Sequence, residues 1–289
     1  DFDATEAVET FGRVTIAVDL SFTGSGPITI VNNELAVDDG VSITDSPDFD
    51  VQNRFVGEDG PEGENAGWRI LGSPRAQMTG ADIDLQQASS GSILYTWDGE
   101  GQTFIEEDLT SSSELSSGEG FFLYLFDNDN RDRIGEDPSD SCGTDDACIN
   151  VAGPLETGSP TGNAFGTDDV SVNVKGEDNQ TATEAGYVLS NPFAQSFDVG
   201  NLVLTGTNRG GGVIGSEGQF RANVQVWNPI AKQFEVINAD SNLDTAVAPW
   251  QGFWVLRDSG SDLNEEELTF ESAGRTTGAP FIPSKATTS

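Results

Sequence analysis

The chain carries the segment GWRILGSP at residues 67–74, and a second version of this segment, GYVLSNP, lies at residues 186–192. A GED triplet precedes both versions, at residues 57–59 and 176–178. Large apolar residues alternate with other residues in each version, as they do along a β-strand with one buried face. The two segments therefore predict that the chain contains one β-rich unit twice.

Two further pairs of segments follow in the same order. Residues 97–104 and 227–234 each begin with Trp and end with Phe, so the spacing is identical, and each contains turn residues after the Trp. The segments GFFL at 120–123 and GFWV at 252–255 also match. Aromatic and β-branched residues dominate these blocks, which predicts strands. Matched blocks in a matched order support an internal duplication.

These patterns predict an all-β protein, and the 34 Gly fit a chain with many turns. We predict two tandem β-sandwich-like domains that are internal duplicates, preceded by an N-terminal β-strand or hairpin region. The predicted boundaries are 1–40 for the N-terminal strand region, 41–158 for the first repeat, 159–278 for the second repeat and 279–289 for the C-terminal tail. The matched aromatic residues are expected to pack in the cores of the repeats. The alternative is an exposed aromatic platform for sugars.

The N-terminal region contains a regular alternation of large apolar residues with small or polar ones, which predicts a strand with one buried face. A turn at residues 23–27, a strand at 28–31 and a returning strand at 35–37 are expected to follow. This segment either completes the sheet of the first domain or is donated to the open sheet edge of a neighbouring subunit, where it would build a polymer. The candidate residues for strand exchange are Val14, Ile16, Val18, Leu20 and Phe22.

The net charge is −36, from 49 acidic and 13 basic residues that are spread along the chain. In dilute buffer such a surface repels itself, whereas in molar salt the screening length falls to about 3 Å. We therefore expect a halophilic source, with an acidic secreted protein from an ordinary habitat as the alternative. There is no basic stripe for phosphates and no long apolar run, so we expect neither a nucleic-acid partner nor membrane insertion.

The sequence contains no His. This excludes Ser-His-Asp and Cys-His catalytic sites and metal centres that need His ligands. A glycosidase that uses two carboxyl groups remains as an alternative, but acidic residues are so abundant that no pair stands out. We expect that the protein is not an enzyme.

The two cysteines, Cys142 and Cys148, lie in the short segment CGTDDAC. This spacing predicts a local disulfide, which would stabilise the fold by about 2 kcal/mol according to loop entropy. A disulfide in turn indicates an oxidising compartment outside the cytoplasm. Two free thiols are the alternative.

An acidic loop follows the strand at residue 120, and it reads DNDNRD at residues 127–132. Calcium takes six to eight oxygen ligands from flexible loops, so Asp127, Asp129 and Asp132 are candidate calcium ligands. Arginines lie among these acids, and the glycine and distant glutamate of an EF-hand are missing. A solvated acidic loop is therefore the alternative, and apart from calcium we expect no cofactor.

The repeated blocks resemble the "GWNLVGNPF", "VWDP" and "GQGFFV" blocks of β domains in surface proteins of Bacteroidota-type bacteria. The resemblance covers roughly residues 50–278. Such domains often precede a type IX secretion sorting domain, so the resemblance implies export and display outside the outer membrane. It implies no catalytic residues, because the blocks consist of structural positions.

Together these observations predict an extracellular, non-enzymatic structural protein that self-associates into a homopolymer, as a subunit of a cell-surface filament or surface layer of a halophilic bacterium. The alternative is an adhesin module that binds polysaccharide or another surface, with or without calcium.

Overall fold

The structure, a computed structural model, is built from β-strands with a few short 3-10 turns, and its described residues contain no α-helix. The all-β class predicted from the sequence is confirmed. The residues that the structure describes, some of them by their backbone alone, are 8–11, 14–16, 20–21, 28–31, 35–37, 43–44, 49–54, 67–73, 77–80, 84–86, 93–107, 114–125, 148–153, 169–174, 186–206, 209–213, 220–228, 233–238, 246–257 and 266–276.

The described residues in the N-terminal part of the chain form seven strands. They are β1 (Val8–Phe11), β2 (Val14–Ile16), β3 (Leu20–Ser21), β4 (Ile28–Val31), β5 (Leu35–Val37), β6 (Ile43–Thr44) and β7 (Phe49–Arg54).

These strands pair in parallel, whereas the sequence led us to expect a hairpin. β1 pairs with β4 and β4 with β7, while β2 pairs with β5 and β3 with β6. Each strand therefore meets another that lies roughly 20 residues further along, a spacing typical of stacked coils in a solenoid. The expected return of residues 35–37 onto 28–31 was wrong, because apolar alternation fixes which face is buried but not which strand is the neighbour.

Eight strands follow. They are β8 (Gly67–Gly72), β9 (Gln77–Thr79), β10 (Asp84–Gln86), β11 (Ile93–Asp98), β12 (Thr103–Glu107), β13 (Glu114–Ser116), β14 (Gly120–Leu125) and β15 (Cys148–Gly153).

A five-stranded sheet in the order β1-β4-β7-β15-β10 connects the N-terminal coils to this second group of strands. Strand pairing thus crosses the domain boundary predicted near residue 40. This arrangement agrees with the alternative in which the N-terminal segment completes the sheet of the first domain. The donation of a strand to a second subunit stays a prediction.

The last group of strands is β16 (Val170–Val174), β17 (Gly186–Ser190), β18 (Ser196–Asp198), β19 (Leu202–Gly206), β20 (Arg209–Val213), β21 (Phe220–Asn228), β22 (Gln233–Asn238), β23 (Ala246–Val247), β24 (Gly252–Arg257), β25 (Glu266–Phe270) and β26 (Arg275–Thr276). Two 3-10 turns, Val199–Asn201 and Ser272–Gly274, lie among them.

The C-terminal part of the chain is a β-sandwich. One sheet has the order β16-β25-β19-β20 and the other has the order β17-β24-β21-β22. A single hydrophobic core joins the two sheets, with Val172 and Phe270 from the first and Leu189, Val224 and Phe253 from the second. Alternate side chains of both sheets point into this core, as the period-two pattern requires.

The first repeat contains a four-stranded sheet of the same order, β12-β11-β14-β8. β8 corresponds to β17, β14 to β24, β11 to β21 and β12 to β22. The blocks that match in sequence therefore occupy equivalent strands in the two sheets. In β14, Phe121, Phe122 and Leu123 are all buried, so this central strand is covered on both faces.

Candidate functional site

The two equivalent sheets, β12-β11-β14-β8 and β17-β24-β21-β22, pack against each other. The backbone N–H of Gly72 donates to the carbonyl of Trp250 over 2.8 Å, and the N–H of Ser190 donates to the carbonyl of Gly118 over 2.8 Å. The two donors are equivalent, because Gly72 and Ser190 each lie two residues before the proline of their block. The two acceptors are also equivalent, because Gly118 and Trp250 each lie two residues before the glycine that starts the central strand. The contact between the sheets is therefore made twice, as an approximate two-fold relation requires.

The glycines that start β14 and β24 allow this close approach. A Cβ atom on Gly120 would lie 2.7 Å from the carbonyl oxygen of Leu189, and a Cβ on Gly252 would lie 2.8 Å from the carbonyl carbon of Ile70. Both distances are far below van der Waals contact. The matched glycines in the sequence blocks thus serve the contact between sheets.

Between the sheets lies a cluster of aromatic residues. Ile70, Phe122 and Val188 are buried at its centre, and the half-buried side chains that pack against them are Trp68, Tyr95, Trp97, Trp227 and Trp254. The ring centroids of Trp97 and Trp254 are 4.9 Å apart, and those of Phe122 and Trp254 are 5.9 Å apart. We name this the aromatic interface.

One half of the aromatic interface is closed. The indole N–H of Trp97 donates to the carbonyl of Gly186 over 2.8 Å. The side-chain amide of Gln102 also donates to this carbonyl and accepts from the N–H of Gly186. Because Gly186 has no side chain, the ring of Trp254 lies directly against it; a Cβ there would be 2.9 Å from the ring. Both tryptophans thereby fill this half.

The other half is open, and a tryptophan stands there at the position where the closed half has a glycine. Trp68 pairs with Tyr124 on β14, and Gly186 pairs with the equivalent residue Leu256 on β24. The ring that corresponds to Trp254 is the smaller Phe122, and a groove of 390 Å³ lies on this side. We name it the aromatic groove, and its lining residues are Trp68, Ile70, Tyr95, Phe104, Phe122, Trp227 and Phe234.

The aromatic groove contains one buried polar atom that makes no hydrogen bond. The indole nitrogen of Trp227 is inaccessible to solvent and has no partner among the described residues. Its equivalent, Trp97, is satisfied by Gly186. At the rim, the hydroxyl of Tyr95 donates to a carboxylate oxygen of Glu106 over 3.4 Å. Desolvation and the neighbouring Glu106 carboxylate raise the pKa of Tyr95 above its ordinary value, so the phenol stays protonated.

The expectation that the matched aromatic residues pack in the cores of the repeats holds for only some of them. Phe121 and Phe253 are buried, but Phe104 and Phe234 are 51% and 43% exposed. The matched Trp residues are half-buried between the sheets. Sequence alternation showed that these positions share one face, but it gave no sign that the other repeat covers that face.

A second cavity, of 220 Å³, also lies between the sheets and is lined by several carboxyl groups, including those of Asp98, Glu114 and Glu119. Although Glu119 as a residue is exposed, partial burial of its carboxyl group raises its pKa above the ordinary value, and a hydrogen bond from Ser116 partly offsets this. Its backbone carbonyl accepts from the hydroxyl of Ser190 over 2.8 Å.

The sites predicted from the sequence lie mainly outside the described residues. This is so for Asp127, Asp129 and Asp132, for Cys142, and for Val18 and Phe22. Cys148 is described and starts β15. Because Cys142 and the three aspartates lie outside the described residues, the disulfide and the calcium site both stay predictions.

Two of the remaining strand-exchange candidates, Val14 and Ile16, pair with Leu35 and Val37 of the same chain, and Leu20 pairs with Ile43. Within the described part of the chain, no group of three potential metal ligands comes together.

No protein-family model matches the chain, and a search of curated proteins found no match. In the described ranges there is no helix with the length and apolar character needed to cross a bilayer.

Proposed function

We propose that this chain is a non-enzymatic, extracellular structural protein, a subunit that self-associates into a cell-surface filament or surface layer of a halophilic bacterium. One observation carries the proposal. All large apolar side chains that are exposed among the described residues lie on two edge strands, β12 and β22: Phe104, Ile105, Phe234 and Val236.

An edge strand offers unpaired backbone groups to another chain, and soluble proteins usually protect such edges with charged residues, proline or bulges. β22 instead exposes Val236 to 61% and Phe234 to 43%. Within the described strands, nothing pairs with the outer side of β12 or β22. Because the two edges belong to equivalent sheets, one subunit presents two similar surfaces, which is what a repeating assembly needs.

The net charge of the chain makes assembly depend on the salt concentration. At a net charge of −36, copies repel one another in dilute buffer. In about 2 M salt the screening length is only a few ångströms, so apolar edges can approach. We therefore expect assembly in high salt and dissociation on dilution.

The alternative, an adhesin module for polysaccharide, has less support. Sugar sites need hydrogen-bond partners for hydroxyl groups. The lining of the aromatic groove is almost wholly hydrocarbon, and its phenol, Tyr95, already donates to Glu106.

The test is light scattering and electron microscopy of purified protein in about 2 M NaCl. We expect polymers from the wild-type chain, and we expect Val236→Lys, which places a charge on the exposed edge, to remain monomeric. Asn173→Lys is the matched control, since Asn173 is an exposed polar residue on β16, another edge strand. Uniform wild-type monomers at high concentration, or a Val236→Lys variant that assembles as well as the control, would overturn the proposal.

A further inference from the structure

The rings of the aromatic groove do not form a flat platform. Neighbouring rings meet edge to face, with interplanar angles between 61° and 81°. The pairs are Trp68 with Tyr95, Tyr95 with Phe104, Phe104 with Phe122, and Trp227 with Phe234. Rings at such steep angles make the walls of a cage. A pyranose ring stacks through the C–H groups of one face on a single exposed aromatic ring, whereas a cage encloses a rounded group from several sides.

The groove also limits which polar groups a ligand can bring. A protonated amine or a guanidinium group carries N–H donors that need acceptors, and the lining side chains supply almost none, because six of the seven are aromatic and the seventh is Ile70. A quaternary ammonium group has no N–H, so it loses no hydrogen bonds when it enters such a groove.

The electrostatics favour a cation. The face of an aromatic ring is electron-rich and attracts a cation within about 6 Å. The chain carries a net charge of −36, and the carboxylate of Glu106 lies at the rim, where it accepts from Tyr95. Both raise the local concentration of cationic ligands.

We propose that the aromatic groove is a binding site for a quaternary ammonium group, held by cation–π contacts with Trp68, Tyr95, Phe104, Trp227 and Phe234. The rings of Trp68, Tyr95 and Phe104 line the groove from one sheet, and those of Trp227 and Phe234 line it from the other. Phe104 and Phe234 also belong to the exposed edges described above, but binding of a cation by a single subunit does not require self-association.

The first experiment compares two ligands of the same shape on the wild-type protein. Choline carries a trimethylammonium group and a hydroxyl oxygen, and 3,3-dimethylbutan-1-ol replaces the charged nitrogen with carbon. Tryptophan fluorescence at constant ionic strength reports binding, because Trp68 and Trp227 line the groove. We expect choline to bind at least about tenfold more tightly than the neutral alcohol. Equal binding of the two, or no binding of choline up to about 0.1 M, would overturn the proposal.

The second experiment places the site. Trp68→Leu removes one wall of the groove, and we expect it to weaken choline binding about tenfold. Trp97→Phe is the matched control in the closed half and is expected to bind choline like the wild type, since Trp97 does not line the groove. Gel filtration and near-ultraviolet circular dichroism establish that each variant is folded.

Unchanged binding by folded Trp68→Leu would contradict this location. A neutral sugar such as glucose or cellobiose is the competitor: displacement of choline by the sugar at equal concentration would show that the groove is a carbohydrate site instead.

Discussion

Trp97 and Trp227 hold equivalent positions in the two sheets but differ in hydrogen bonding. Only Trp97 has a partner, the carbonyl of Gly186, while the buried N–H of Trp227 has none among the described residues. We expect Trp97→Phe to lower the free energy of unfolding by about 1 kcal/mol more than Trp227→Phe, because both changes lose the same ring area but only the first loses a hydrogen bond. Urea denaturation in high salt measures the difference. Equal losses would show that the bond to Gly186 contributes nothing.

Glu119 is a carboxyl group whose pKa is raised by partial burial. A raised pKa means that the folded state disfavours the ionised form. The free energy of unfolding therefore falls as the pH rises through the pKa of the unfolded state, and the loss is complete above the pKa of the folded state. The equivalent residue in the second repeat is Gln251. We therefore expect Glu119→Gln to unfold at slightly higher urea concentration than the wild type at pH 7 and at the same concentration at pH 3. Denaturation curves at the two pH values test this, and a gain that persists at pH 3 would rule out ionisation as its cause.

The aromatic groove could not have been predicted from these residues alone. An alignment of the sequence blocks matches Gly67 with Gly186. The strand register instead makes Trp68 the residue whose position in its sheet is equivalent to that of Gly186. A one-residue length difference within the block moves every side chain to the other face, and the sequence does not show where the difference falls. The closed and open halves differ at this position and also where Phe122 stands in place of Trp254.

At the scale of elements, the two sheets approach closely where β24 and β14 begin with glycine. A Cβ atom on Gly252 would lie 2.8 Å from the carbonyl carbon of Ile70 in the facing strand β8. We expect Gly252→Ala to lower the free energy of unfolding by about 2–3 kcal/mol, because the sheets must separate to admit the methyl group.

The control for Gly252→Ala is Gly101→Ala in the β11–β12 turn. There the nearest atom to an added Cβ is the carboxylate oxygen of Asp98, the far end of a side chain that can move. Urea denaturation compares the two variants. A loss no larger for Gly252→Ala than for Gly101→Ala would show that the sheets are not in close contact at this point.

The connection between β17 and β18 is held in place by one buried amide. The side chain of Asn191 donates to the carbonyls of Gln195 and Ala248, over 2.7 and 3.0 Å, and accepts from the N–H of Phe193 over 3.0 Å. Asn191→Ala removes these three hydrogen bonds from buried backbone groups, of which the carbonyl of Ala248 keeps the N–H of Gln251 as a donor. We expect a loss of about 2–4 kcal/mol in the free energy of unfolding.

The exposed Asn173 provides the control for Asn191, since Asn173→Ala is expected to change stability by less than about 0.5 kcal/mol. Thermal unfolding followed by circular dichroism measures both. Similar midpoints for the two variants would contradict the structural role of Asn191. The result also bears on the sequence block itself, because it gives a physical reason for an Asn before the Pro in the second repeat.

Strand positions were more predictable than strand partners. Residues 28–31 and 35–37 are strands, as their apolar alternation indicates, but they pair in parallel with β1 and β2. The hairpin of β11 and β12 was predictable because its turn is local, and the N–H of Glu100 donates to Asp98 there. Parallel pairing depends on contacts distant in sequence, for which a short segment carries no signal.

At the scale of the whole molecule, at least three sheets stack in layers. The sheets β16-β25-β19-β20 and β17-β24-β21-β22 share one core, and the second of these shares the aromatic interface with β12-β11-β14-β8. β17 and β24 are consequently covered on both faces. This explains why their sequences carry large apolar residues at successive positions, a pattern that is typical of buried strands and does not by itself reveal what lies on each side.

The acidic surface provides the last prediction. Among 289 residues, 49 are acidic and 13 basic, and their mutual repulsion opposes the compact state wherever it is not screened. We expect the thermal midpoint to rise on the order of 10 °C between about 0.1 M and 2 M NaCl. At a pH near the isoelectric point of about 4.1, protonation removes much of the charge, so the same salt step should raise the midpoint far less. Circular dichroism melts at the two salt concentrations and two pH values separate charge screening from a general effect of salt on apolar burial, which would act equally at both pH values. A midpoint that does not respond to salt at pH 7 would mean that the acidic residues are not an adaptation of this fold to brine.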